Sequence, residues 1–197
     1  MTRLARPVAG LFAAGLALAG LAAPAAAQDL TLPAPSPKAS VSQMVGATQI
    51  TVTYSSPAKR DRKIFGGLVP FKTLWRAGGN SATTIETTHA ITVGGEAVPA
   101  GKYAVFTIPG EGAWTVIINQ NPNQGGTRQY DEKLDQARFT VKPAKSPARE
   151  RMTFVFSDTT DDATHLDLEW DTTRIRLPIK VDTAGVVQAQ IDAYQKK

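Results

Sequence analysis

Two residues on one glycine-rich stretch, Arg76 and Asn80, have side chains suited to holding a small polar or anionic ligand. An arginine fork and an asparagine amide bind carboxylate, phosphate or sugar oxygens, and Gly78-Gly79 between them leave backbone N–H groups accessible. We therefore predict a ligand-binding loop over Arg62–Asn80. The residues expected to form the site, with an aromatic ring as its floor, are Arg76, Asn80, Trp75, Arg62 and Tyr54.

A structural role is the alternative for the same residues. In that case Trp75 fills the core, Arg76 pairs with a carboxylate inside the fold, and Asn80 caps the loop. Networks of this kind commonly hold loops in place. The two alternatives therefore differ in whether Arg76 is fully engaged within the protein.

A second group combines carboxylates with an imidazole in the pattern D-x-x-D-D-x-x-H, and its members are Asp158, Asp161, Asp162 and His165. Such side chains bind divalent cations. The spacing matches no known metal-binding loop, however, and Ser-Asp-Thr-Thr-Asp-Asp is an ordinary turn composition between two strands. A metal site and a solvated turn therefore both remain open for this segment.

Signatures of catalysis are sparse. Only His89 and His165 are available as bases near neutral pH, and the sequence contains neither a G-x-S-x-G elbow nor an H-E-x-x-H pair. We therefore expect a non-enzymatic module, with no cofactor, that binds a small polar ligand or a protein of the cell envelope. The alternative is a hydrolase or metal-assisted enzyme that uses His165 with Asp158, Asp161 or Asp162, or a site centred on Arg76.

The segments that must position these residues are predicted to be almost entirely short strands. Apolar and polar residues alternate over Ile50–Tyr54, which predicts a strand with one buried face. Gly94-Gly95 accept the backbone of a tight hairpin turn, and the nearly continuous apolar run over Lys102–Ile108 predicts a strand buried on both faces.

The clearest predicted hairpin lies near the C-terminus, where two alternating segments of opposite charge flank Thr172-Thr173. Folding the chain there sets Asp171 opposite Arg174 and Glu169 opposite Arg176, with Trp170 and Ile175 inside. Pro178 cannot donate a ladder hydrogen bond, which predicts that its strand lies at a sheet edge.

Together these signals predict a mainly β fold, an antiparallel β-sandwich of the jelly-roll or immunoglobulin-like kind with a long capping loop. Helical spacing of apolar residues occurs only at the C-terminus. The predicted organisation is a signal peptide over 1–27, a proline- and alanine-rich lead-in over 28–40, the sandwich over 41–183 and an amphipathic helix over 184–197.

The N-terminal segment has the three parts of an export signal. Arg3 and Arg6 precede an apolar stretch over Val8–Ala23, and Ala25–Ala27 offers the small residues of a cleavage site. Cleavage leaves 170 of the 197 residues, with 20 basic and 17 acidic side chains and a net charge of +3. We therefore expect a periplasmic or secreted protein with no membrane anchor after cleavage and no nucleic-acid partner.

Between about Ser36 and Val181 the sequence contains, in order, the motifs Ser36-Pro37-Lys38-Ala39, Tyr54, Arg62–Gly66, Leu68-Val69-Pro70, Trp75-Arg76, Gly79-Asn80, Ala82-Thr83-Thr84, Pro99–Tyr103, Phe106–Pro109 and Trp114. Together these motifs resemble a known family of bacterial exported proteins, the domain of unknown function 2911 family. Asp61 and Lys72 stand where the family usually has glycine. The resemblance implies an exported β-domain and no established activity.

Overall fold

Strands make up most of the ordered fold, as the sequence predicts. In the computed structural model, which describes residues 32–196, 52% of the described residues are in strands and 10% are helical, and the strands form two antiparallel sheets. The predicted mainly β, two-sheet architecture with one short C-terminal helix is therefore confirmed. The predicted signal peptide lies outside the described residues.

The larger sheet has six strands in the order β1-β2-β3-β6-β7-β8. Its strands are β1 (Lys38–Val45), β2 (Thr48–Ser55), β3 (Thr83–Thr87), β6 (Gly101–Ile108), β7 (Trp114–Asn119) and β8 (Asp135–Val141). A long loop, residues 56–82, leaves the sheet after β2 and returns at β3. This loop carries most of the predicted ligand-binding residues.

The smaller sheet has the order β5-β4-β10-β9. Its strands are β4 (Ile91–Val93), β5 (Glu96–Val98), β9 (Ala144–Ser157) and β10 (Ala163–Val181). The turn between β4 and β5 is the predicted glycine hairpin, in which Gly94 and Gly95 have φ values of +62° and +94°. Only glycine adopts both angles without strain, which explains why two glycines stand there.

The long strand β10 folds back on itself. Its last residue, Val181, donates a backbone hydrogen bond of 2.9 Å to Asp162, next to its first residue, whereas nineteen extended residues would span about 60 Å. One half pairs with β9 and the other with β4, so the predicted C-terminal hairpin is confirmed. Pro178 therefore does not lie at a sheet edge, and that prediction is wrong: its strand is flanked on both sides.

The ion pairs predicted for this hairpin are also wrong. Arg176 and Arg174 both approach Asp167 instead of Glu169 and Asp171. Glu169 instead binds Arg149 of β9, and Asp171 accepts a 2.6 Å hydrogen bond from Lys59 of the 56–82 loop. The bonds of Val181 to Asp162 and of Arg176 to Asp167 show that the hairpin folds one residue earlier than predicted. Cations from outside the hairpin then bind Glu169 and Asp171, and the local sequence does not reveal them.

The core lies between the two sheets. Strands β2, β6 and β7 contribute one layer and β9 and β10 the other, with Trp114 and Trp170 among its largest buried side chains. A smaller cluster covers the opposite face of β6 and β7, where Leu74 and Tyr130 from two loops pack over Phe106 and Ile117. This second layer explains why β6 is buried on both faces, as predicted.

The ends of the domain differ in detail from the predicted boundaries. Strand β1 begins at Lys38, inside the predicted lead-in, and forms an edge of the larger sheet. The C-terminal helix α1 (Thr183–Gln195) follows Asp182, whose carboxylate accepts a hydrogen bond from the Gly185 backbone N–H. Val187, Ile191 and Tyr194, its predicted apolar stripe, are exposed. Among residues 32–196, no helix is long and apolar enough to span a membrane.

Candidate functional site

The 56–82 loop is tied to both sheets along its length. Trp75 exchanges two backbone hydrogen bonds with Thr107 of β6, at 2.7 and 2.8 Å, and Lys59 donates to Glu150 of β9 at 2.6 Å. Phe65 packs edge-on against Trp114, with ring centroids 4.7 Å apart. The loop is therefore part of the packed structure and holds its side chains in place.

The end of the loop packs closely on two serines. Gly79 donates its backbone N–H to Ser55, and a Cβ at Gly79 would lie 2.9 Å from the Cβ of Ser36. The Asn80 amide nitrogen donates to the Ser36 carbonyl at 3.1 Å and contacts the Ser55 hydroxyl at 3.4 Å. Glycine is thus required at position 79 because the backbone there lies too close to Ser36 for a side chain. The Asn80 amide nitrogen caps the loop, which is the structural role considered as the alternative for this residue.

A cavity of about 360 Å³ opens beneath this loop, and we call it the arginine cavity. It lies within the usual size range of small-molecule sites. Its charged residues are Arg60, Arg62 and Arg76, its aromatic residues are Trp75 and Trp170, and its other residues are Pro35, Ser36, Pro57, Ala58, Leu68, Val69, Gly78, Gly79 and Asn80. No acidic residue of the described chain lines it.

Arg76 is the least satisfied of the three arginines. From residue 32 to residue 196, no side chain or carbonyl forms a hydrogen bond or ion pair with its guanidinium. Its Nε atom is buried without a partner, and its Nη1 atom lies beside Gly126, in a second opening that Arg76 lines together with residues 125–129. A buried N–H that lacks an acceptor costs folding free energy, so the position favours a ligand that supplies one.

The other two arginines have different surroundings. Arg62 donates to the backbone carbonyls of Lys59 and Ala58, at 3.0 and 2.5 Å, which orients it without neutralising its charge. The backbone N–H of Arg60 binds the Glu150 carboxylate at 2.8 Å, while its guanidinium has no ion pair among the described residues. The cavity therefore concentrates uncompensated positive charge.

The aromatic wall of the cavity joins the loop to the core. Trp75 stacks on Trp170 with ring centroids 6.1 Å apart and an angle of 21° between the rings. Trp170 is buried, and its Nε1 atom donates to the Glu150 carbonyl at 3.3 Å. The stack fixes the Trp75 ring and gives the cavity a rigid apolar side opposite its charges.

Four of the five predicted ligand-binding residues, Arg62, Trp75, Arg76 and Asn80, come together at the arginine cavity. Tyr54 does not reach it. The Tyr54 ring lies on the core side of β2, edge-on to Phe154 at 5.1 Å. Sequence reasoning omitted Arg60, although it belongs to the same basic segment, and Trp170, which comes from a distant strand and carries no local signal.

The predicted metal residues are only partly brought together. His165 Nδ1 lies 3.5 Å from Asp158, but the same carboxylate oxygen accepts a 2.9 Å hydrogen bond from Arg176. The backbone carbonyls of Asp161 and Asp162 accept hydrogen bonds from Thr183 and Val181. In the described part of the chain, no three acidic, histidine or cysteine side chains are grouped to hold a metal.

Arg176 also connects this segment to a buried carboxylate. Asp167 is 2% exposed and accepts hydrogen bonds from Arg176 at 2.8 and 2.9 Å and from the Ser157 hydroxyl at 2.9 Å. Hydrogen bonding to Asp167 raises the pKa of Arg176 above its usual value. We call Asp158, Asp167, Arg174 and Arg176 the paired cluster, because its charges neutralise one another.

Comparisons with known proteins identify the family of the chain but give no information on its chemistry. No curated protein and no solved structure shows significant similarity to the chain. The family model described as a protein of unknown function, DUF2911, matches residues 36–179, which include β1 through most of β10 and the whole arginine cavity apart from Pro35. The chain therefore belongs to the DUF2911 family.

Proposed function

We propose that this chain is an exported, non-enzymatic binding protein that holds a small anionic ligand in the arginine cavity. The observation that carries the proposal is the state of Arg76, which lines the cavity with a buried Nε atom and no partner among residues 32–196. A ligand carboxylate or phosphate would supply the missing acceptor and accept two parallel hydrogen bonds from the guanidinium.

The surroundings of Arg76 support the same ligand charge. Arg60 and Arg62 add positive charge, and none of the acidic side chains within the described range faces the cavity to oppose a bound anion. The loop is held by packing and by backbone hydrogen bonds, so little conformational entropy would be lost on binding. The protein would therefore work by capture and release of its ligand.

The test is a thermal-unfolding screen of the protein purified after expression with its own N-terminal segment. Inorganic phosphate, sulfate, simple carboxylates and neutral sugars are the probes. A ligand at about 100 times its Kd adds about 2.7 kcal/mol to the unfolding free energy, which corresponds to several degrees in Tm. We expect anions to raise Tm and the neutral sugars to have a much smaller effect.

Two variants make the screen specific. Arg76→Met removes the charge while keeping much of the side-chain volume, and we expect it to reduce the shift to about half or less. Lys142→Met removes one exposed positive charge outside the cavity and serves as the matched control, with an unchanged shift. If no anion raises Tm and Arg76→Met is itself strongly destabilised, Arg76 is structural and the proposed function is wrong.

A further inference from the structure

A second cavity of about 420 Å³ lies on the other side of Asn80 from the arginine cavity. We call it the polar groove and define it by Lys38, Thr53, Thr84, Lys102, Asn123 and Gln124. Asn80 lines both spaces. The two cavities are therefore neighbours separated by a single exposed side chain.

The polar groove lies on the outer face of the larger sheet. Thr53 of β2 is paired in register with Thr84 of β3, which places two hydroxyls side by side. Lys102 of β6 adds an ammonium group, partly offset by a 3.6 Å contact with Glu86. The groove thus offers several short polar side chains, while Tyr54, its one aromatic residue, directs its ring into the core.

Gln124 lines the groove and carries an unsatisfied acceptor. The residue is 2% exposed, and its amide nitrogen donates to Asn119 Oδ1 at 3.0 Å and to the Asn121 carbonyl at 2.7 Å. These two bonds fix the orientation of the amide. Its Oε1 atom is buried and has no donor among the residues that the structure describes. A buried acceptor of this kind favours a ligand that brings an O–H or N–H group.

Asn80 offers a similar acceptor between the two cavities. Its amide nitrogen is held by Ser36 and Ser55, whereas its Oδ1 atom accepts no hydrogen bond from any described residue. A ligand that fills both cavities passes this atom. Hydroxyl groups on the ligand would satisfy Asn80 on the way from the arginines to the groove.

We propose that the arginine cavity and the polar groove are two subsites of one site, and that the ligand is an anionic sugar. The anionic group, a phosphate or a carboxylate, binds Arg76, and the sugar hydroxyls bind the groove. The inference rests on the proposed function, since it requires an anion in the arginine cavity. It adds the prediction that the rest of the ligand is rich in hydroxyls and not apolar.

The experiment measures Kd by isothermal titration calorimetry for a set of matched probes. The 6-phosphates of glucose, mannose and galactose and the hexuronates carry both groups, inorganic phosphate carries only the anion, and glucose carries only the hydroxyls. Hexyl phosphate has an anion on an apolar body. We expect at least one sugar anion to bind tenfold or more tightly than inorganic phosphate and hexyl phosphate, and glucose to bind weakly.

Variants assign the two halves of the site. The double variant Thr84→Val/Asn123→Ala removes a hydroxyl and an amide from the groove with little change in shape at Thr84. It should abolish the tenfold preference and leave the Kd for inorganic phosphate unchanged. Arg76→Met should weaken binding of every anion. Thermal unfolding of each variant confirms that the fold is retained.

Each contrary result has a distinct meaning. Hexyl phosphate binding as tightly as the sugar anions would overturn the sugar assignment and leave the anion site intact. An unchanged preference in the double variant would show that the groove is not a subsite. If inorganic phosphate and every other probe fail to bind, the proposed function falls together with this inference.

Discussion

The arginine cavity and the paired cluster use the same residue types in opposite ways. In the paired cluster, Arg176 and the buried Asp167 neutralise each other through two hydrogen bonds. In the arginine cavity, Arg76 lines an open space with no carboxylate, and one of its nitrogens is buried without a partner among the described residues. The buried, unpaired Nε atom is not itself the difference, because Arg174 of the paired cluster has one as well. The difference is the carboxylate: the paired cluster contains Asp158 and Asp167, whereas the proposed function assigns a ligand to Arg76, which has no carboxylate partner among the described residues.

The largest effect expected from this comparison is on stability and lies in the paired cluster. Arg176→Met leaves Asp167 buried at 2% exposure with only Ser157 and the more distant Arg174 as partners. We expect a loss of about 3 kcal/mol, because a buried carboxylate that loses its counter-ion is strongly destabilised. Urea unfolding measures the change.

A second variant separates loss of the pair from loss of packing. The double variant Asp167→Asn/Arg176→Met removes the uncompensated charge, so it should be more stable than Arg176→Met alone. Equal unfolding free energies for Arg176→Met and the wild type would contradict the structural role of the Arg176–Asp167 pair.

The next effect is on binding and lies in the arginine cavity. Arg76→Met should raise the Kd for the anion by about 10- to 100-fold, which is the loss of a charge-assisted hydrogen bond worth about 1.5–3 kcal/mol. The stability of the unliganded protein should stay the same or rise, because the variant removes a buried N–H that has no acceptor. Calorimetry gives the first quantity and urea unfolding the second.

This pair of readouts distinguishes the two roles of an arginine. A structural Arg76 would lower the unfolding free energy when it is replaced, as Arg176 is expected to do. Arg76→Lys keeps the charge but not the fork, so an intermediate Kd would show that hydrogen-bond geometry contributes as well as charge.

A smaller effect tests how the 56–82 loop is held over the cavity. In Gly79→Ala the new Cβ would lie 2.8 Å from the Ser36 hydroxyl oxygen and 2.9 Å from its Cβ, so the loop must shift. We expect a loss of about 1–2 kcal/mol in unfolding free energy together with weaker anion binding. Gly112→Ala is the control, because a Cβ there meets no atom within 4 Å. Equal effects of the two changes would show that close packing at Gly79 does not position the loop.

The sequence predicts the parts of the molecule that depend on local pattern. Alternation and turn residues identify β2, the Gly94-Gly95 hairpin and the fold-back in β10, and the mixed composition of the 56–82 loop identifies the segment that lines the arginine cavity. Alternation also places Tyr54 on the same face of β2 as Ile50 and Val52, so the signal that removes Tyr54 from the cavity is present in the sequence. Strand β1 is missed because Gln43 on its inward face and the exposed Met44 break the alternation of its apolar residues.

The local sequence pattern does not reveal which partner each charged or aromatic side chain contacts in the fold. The predicted register sets Glu169 opposite Arg176, but the hairpin folds one residue earlier, so that Val181 bonds to Asp162 and Arg176 to Asp167, while Arg149 of β9 binds Glu169. Trp170 reaches the arginine cavity only because the two sheets stack. The absence of a carboxylate from the lining of the arginine cavity depends likewise on every element around it, and the proposed function rests on this absence within the described residues.

The smallest expected effect concerns a third group of bonded side chains, Tyr130, Asp135 and Arg138, in which a tyrosine binds an acidic and a basic residue. The Tyr130 hydroxyl donates to Asp135 at 2.8 Å and accepts from Arg138 at 2.7 Å. Burial, followed by the hydrogen bond and the charge of Asp135, raises the pKa of Tyr130 well above its usual value. The folded protein therefore holds this proton more tightly than the unfolded chain does.

That difference makes stability depend on alkaline pH. The contribution of Tyr130 is complete below the usual tyrosine pKa of about 10 and is lost as the pH rises above it towards the raised pKa of the folded state. We expect the unfolding free energy to fall between about pH 10 and 12 and to fall less steeply in Tyr130→Phe. Some dependence should remain, because burial also raises the pKa of Tyr103. Tyr194→Phe, at an 82% exposed position, is the control and should leave the pH dependence unchanged. If Tyr130→Phe also leaves it unchanged, the bonds of Tyr130 to Asp135 and Arg138 do not stabilise the fold as those of the paired cluster do.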